Sequence, residues 1–97
     1  MTTSCGPYPV TTFDPTQRAI VGHLDGVGFY FRVLDGQGDE VDGQGLNGEL
    51  PHLVSLLEAS WIYCDWQAEP ALVGVLKACD PALTSTHPGI VRLLSAA

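Results

Sequence analysis

A change of period restricts the fold of this chain more than any other feature. Between about residues 18 and 34 apolar side chains alternate two by two, and from about residue 50 they recur every three or four. A strand sends successive side chains to opposite faces, whereas a helix gathers positions i, i+3, i+4 and i+7 on one side. Both halves bury their apolar faces if a small sheet and a set of helices close over a common interior. The expected fold class is therefore α+β: a three-stranded antiparallel β-meander followed by two or three packed α-helices. The expected layout is one domain over 1–97, with an extended N-terminal arm at 1–17, the meander at 18–46 and the helical half at 47–97.

In the meander, Arg18 to Leu24 and Val27 to Leu34 are runs of strand formers separated by Asp25-Gly26. An Asp-Gly pair between such runs predicts a tight hairpin, here a type I′ turn with positive φ at both central residues. Val27, Phe29, Phe31 and Val33 share one face, expected to be the buried one, while Tyr30 and Arg32 point away. Asp35-Gly36-Gln37-Gly38-Asp39 reads as the next hairpin loop, leading to a short third strand at Glu40-Val41-Asp42. Upstream, Pro7, Pro9 and Pro15 exclude a helix, and Val10-Thr11-Thr12-Phe13 could add an edge strand.

In the helical half, Asn47 is a candidate N-cap, with Glu49 and Pro51 in the first turn. Leu50, Leu53, Val54, Leu57, Trp61 and Cys64 keep helical spacing, which predicts a first helix reaching about Asp65. Leu56, Ile62 and Tyr63 widen its apolar stripe. A second helix is predicted from about Glu69-Pro70 to Cys79, with Leu72, Val75, Leu76 and Cys79 inward and Asp80-Pro81 as its stop. A third follows Ser85-Thr86-His87-Pro88, capped by Ser85 or Thr86, with Ile90, Val91, Leu93 and Leu94 as its apolar side.

Eleven acidic residues against four lysines and arginines give a net charge of −7. A chain with so few cations cannot replace the counterions of a phosphate backbone, so nucleic-acid binding is disfavoured. No run approaches the roughly 18 apolar residues of a membrane span, and the first residues lack the basic and apolar regions of a secretory leader. A soluble protein, cytoplasmic by default, is the expectation. Cys5, Cys64 and Cys79 are odd in number and widely spaced, which predicts reduced thiols rather than a disulfide framework.

Three kinds of chemistry compete. Asp35, Asp39, Glu40 and Asp42 lie in a glycine-rich setting that could offer oxygen ligands to a hard cation, although the spacing departs from an EF-hand loop, where position six would be glycine and is here Glu40. A solvated hairpin tip explains the same acids. His23, His52 and His87 with the three cysteines show no zinc-ligand spacing. A nucleophilic pair of Cys64 with His52 or His87 would need an activated thiol, yet Cys64 and Cys79 fall on apolar stripes where burial suppresses reactivity. Phosphate-binding and hydrolase motifs are absent, so no cofactor is expected.

Tyr63 and Trp66 end the first predicted helix as large amphipathic rings, a residue type enriched at interfaces. The expected function is that of a small acidic protein-interaction module, such as an inhibitor, an immunity or antitoxin-like partner, or an accessory subunit. Its expected partner is another protein, with a basic surface as one option and a second copy of the chain as another. Tyr63, Trp66, Asp35, Asp39, Glu40 and Asp42 are the expected contact residues. On this reading Trp66→Ala leaves stability nearly intact. The alternatives are a metal-binding domain using the acidic loop or the cysteines and histidines, and a small thiol-dependent enzyme.

Overall fold

A computed structural model describes residues 4–80 and 85–96. Four strands, β1 (Cys5–Val10), β2 (Arg18–Leu24), β3 (Gly28–Leu34) and β4 (Glu40–Gln44), form an antiparallel meander in the order β1-β2-β3-β4. Three helices follow: α1 (Leu53–Ser60), α2 (Pro70–Lys77) and α3 (Pro88–Ala96), with a single 3-10 turn at Trp66–Ala68 between α1 and α2. The α+β arrangement is as predicted, with one strand more than expected.

That strand comes from the segment read as an arm, of which Met1 to Thr3 lie outside the described residues. β1 carries Pro7 and Pro9, and its place at the edge of the sheet tolerates them, because one side of the strand needs no N–H donors. Tyr8 pairs with Val21 and Val10 with Ala19, and the register is irregular between Cys5 and Tyr8. The candidate strand at Val10 to Phe13 does not form as such. The strand stops at Val10, and Thr12 instead makes an isolated bridge to Cys64.

Pairs Ala19–Val33, Val21–Phe31 and His23–Phe29 set the β2–β3 register. Phe29, Phe31 and Val33 are fully buried on the helix side, as the alternation predicts. Val27 is not among them. It closes a turn in which its N–H donates to the Leu24 carbonyl, so the hairpin loop holds three residues. Only Gly26 of that turn has positive φ, at 79°, which is the requirement of a type II turn rather than the expected type I′. On the outer face Tyr30 lies directly over Gly22, where an added Cβ would come within 2.5 Å of the tyrosine hydroxyl. β4 runs two residues past its predicted end, pairing Gly43 and Gln44 with Arg32 and Phe31.

The helices differ from expectation at their ends. Asn47 does not cap α1. It lies in a turn closed by the Gly48 N–H to the Gly45 carbonyl, and Leu50 still precedes the helix, its carbonyl accepting from the Phe29 N–H. α1 begins at Leu53, whose N–H donates to the Asp80 carboxylate at 2.9 Å. It ends at Ser60 because the following backbone is taken by the arm: the Phe13 N–H donates to the Tyr63 carbonyl and the Asp65 N–H to the Thr11 carbonyl. Trp61 is therefore a half-buried helix end, and Cys64 is buried outside the helix.

In α2 the inward residues are Val73 and Leu76, while Val75 is exposed, so the apolar face is rotated from the predicted one. Pro81, the predicted stop, lies outside the described residues. In α3 Ile90, Leu93 and Leu94 are buried and Val91 is exposed. Its cap is neither Ser85 nor Thr86 but the His87 ring, whose Nδ1 accepts from the Ile90 N–H at 3.2 Å. α1 lies on β3, and α3 touches both α1 and α2, so helices cover one face of the sheet.

Candidate interaction surface

Among the described residues no three His, Cys, Asp or Glu side chains are grouped to hold a metal ion. The acids of the hairpin loops are engaged locally. Asp35 Oδ1 accepts from the N–H groups of Gln37 and Asp39, and Glu40 Oε1 accepts from Arg32 Nε at 2.7 Å. Asp42 Oδ1 accepts from the Gly43 N–H while its Oδ2 accepts from the Tyr63 hydroxyl at 2.9 Å. Asp39 is exposed on the same loop as Asp35. The two histidines considered as thiol partners are also committed elsewhere. His52 faces Asp80, and His87 caps α3 and lies against the Trp61 ring. Burial pushes the Cys64 thiol up to about 12, leaving it protonated and unreactive at neutral pH.

Among the described residues, two clefts of the surface are small. One of about 170 Å³ lies beside Arg32, Glu40 and Leu46, and one of about 280 Å³ lies between α3 and the start of α2. Both fall short of the roughly 300–1,000 Å³ that ordinary ligand pockets enclose.

The predicted contact residues separate. Trp66 is a correction: it is 1% exposed and part of the core, not an anchor on the surface. Its Nε1–H donates to Ser60 Oγ at 2.9 Å, and the Ser60 hydroxyl donates to the Leu56 carbonyl at 2.6 Å. The chain turns back after α1, which carries Trp66 under the helical layer. Tyr63 is half-buried against Phe31, and its hydrogen bond to Asp42, together with partial burial, holds its phenol above the ordinary tyrosine range.

Two residues not counted among the contacts stand out instead. Ile62 is 74% exposed and Phe13 62% exposed. The Thr12–Cys64 bridge and the bond from the Phe13 N–H to the Tyr63 carbonyl bring Phe13 alongside the Ile62-Tyr63 segment. Acids border them in sequence and in space: Asp14 follows Phe13, Asp42 holds the Tyr63 hydroxyl, and Asp65 donates its N–H to the Thr11 carbonyl. Asp14 accepts from the Thr16 hydroxyl and N–H, and these bonds hold its carboxyl below the usual range. It is a permanent negative charge beside Phe13 at any physiological pH. The apolar stripe of α1, by contrast, is spent within the chain, since Leu53, Val54, Leu56 and Leu57 are all buried.

Ile62 was legible only as part of a broad helical stripe, because its exposure depends on the helix stopping at Ser60. No known protein family, curated protein or solved structure matches the chain.

Proposed function

We propose that the chain is a protein-binding module whose contact surface centres on Phe13 and Ile62, with Tyr63 beside them and Asp14, Asp42 and Asp65 as its rim. The partner is a protein presenting an apolar recess bordered by basic side chains. One observation carries this reading: two large apolar side chains, each mostly in water, stand on distant segments that a backbone bridge joins. Such paired apolar anchors within a polar rim are the usual anatomy of the energetic centre of an interface. A net charge of −7 supports a basic partner, since charge complementarity speeds encounter.

Affinity capture with the full chain, followed by titration of the captured protein, tests the proposal. Phe13→Asp with Ile62→Asp is expected to weaken binding by roughly 30-fold or more, the effect of losing about 2 kcal/mol at an interface centre. Thermal stability should stay nearly unchanged, because neither side chain is packed. A partner that binds the double variant as tightly as the parent would show that the contact lies elsewhere.

A further inference from the structure

Cys5 opens β1 at the sheet edge and Cys79 lies just past the end of α2, 74 positions away. Their sulfurs are nonetheless 3.2 Å apart. Both side chains are partly buried and both thiols are free. The Cys79 thiol also lies 4.0 Å from the Val75 carbonyl, a weak contact that leaves the sulfur facing Cys5. A disulfide holds its sulfurs at about 2.05 Å, so closing this pair takes a movement of about 1 Å. Rotation about the two Cα–Cβ bonds at the surface supplies a movement of that size. Cys64, 1% exposed, is enclosed in the core and does not compete.

We propose that Cys5 and Cys79 form a reversible disulfide by exchange with a low-molecular-weight disulfide, clasping the edge of the sheet to the helical layer. The Cys5 thiolate attacks the external disulfide, forming a mixed disulfide and releasing one small thiol. Cys79 then gives up its proton and displaces the second small thiol, forming the Cys5–Cys79 bond. Two protein thiols are oxidised and one external disulfide is reduced to two thiols, so no other reagent is consumed. Desolvation, ahead of the contact with Cys5, pushes the Cys79 thiol up to about 11. A mostly protonated sulfur is a poor first attacker, but it suits the second step, where proximity to the mixed disulfide replaces intrinsic reactivity.

The test uses the full chain with glutathione disulfide at neutral pH, followed by alkylation and peptide mapping. The expected product is a linked Cys5–Cys79 peptide from a monomer, with Cys64 still alkylatable after unfolding. Joining residues so far apart restricts the unfolded chain, so Tm should rise by about 10 °C and return on adding dithiothreitol. Cys5→Ser and Cys79→Ser should each abolish the rise, and Cys64→Ser should leave it. Oxidation that stops at a glutathione adduct, or that links two chains, would overturn the proposal.

Discussion

Ser60 is the one polar side chain among the described residues that is fully buried, and it is satisfied twice. Its hydroxyl accepts from the Trp66 indole and donates to the Leu56 carbonyl one turn back in α1. A small side chain thus reconciles a helix end with a tryptophan that must enter the core with an N–H attached. Trp66→Ala should cost about 3–5 kcal/mol through the cavity it leaves, in contrast to the near-neutral outcome expected of a surface ring. Ser60→Ala should cost about 1–3 kcal/mol by stranding the indole donor. In a Trp66→Phe background, which has no donor to strand, the same substitution should cost less. Urea unfolding of the parent, the three single variants and the Trp66→Phe/Ser60→Ala double variant reads all three values, and full additivity of Ser60→Ala with Trp66→Phe would disprove the coupling.

At the scale of elements, the helices are stopped and started from outside themselves. α1 has no side-chain cap of its own, and its first N–H is satisfied by Asp80, 27 residues further on. The carboxylate also lies 3.2 Å from His52 Nδ1, but His52 is half in water and that pair is worth little. Asp80→Ala should therefore destabilise by about 1–2 kcal/mol, the usual loss on removing a helix cap, while His52→Ala should change stability by less than about 0.5 kcal/mol. Equal losses in thermal or urea unfolding would mean that the ion pair, not the cap, is what Asp80 contributes. A cap so remote cannot be read from the local pattern around residue 50, and Asn47 was the natural but wrong choice. The faces of α2 and α3 were legible only in part for a similar reason. Eight or nine residues leave several apolar positions, and the direction from which neighbouring layers approach decides which of them is covered, here Val73 rather than Val75.

At the scale of the whole molecule, Cys64 reports on the cooperative opening of the core. It is sealed where the arm crosses the turn after α1. Its thiol is held up to about 12 by burial, against an ordinary value of 9.0. A group whose pKa is raised on folding stabilises fully below its unfolded value, and that contribution is lost as pH climbs through the folded value. Stability should thus fall from about pH 9 toward 12, by as much as ~1.4 kcal/mol per pH unit from this thiol. Cys64→Ala should flatten the decline measured by urea midpoints between those limits. A decline as steep in the variant would assign it to other groups.

Local chemistry determined the division of the chain into an alternating half and a helical half, the buried face of β3, the positions of both hairpins and the existence of three helices. These follow from steric and solvent preferences that act within a few residues. Only the tertiary structure decided that a proline-bearing arm pairs as β1, that α1 ends at Ser60, that Trp66 turns inward, that Phe13 bonds to the Tyr63 backbone and that Cys5 meets Cys79. Each of those outcomes depends on a hydrogen-bond partner or a covering surface supplied by another element, and no local pattern carries the address of its partner.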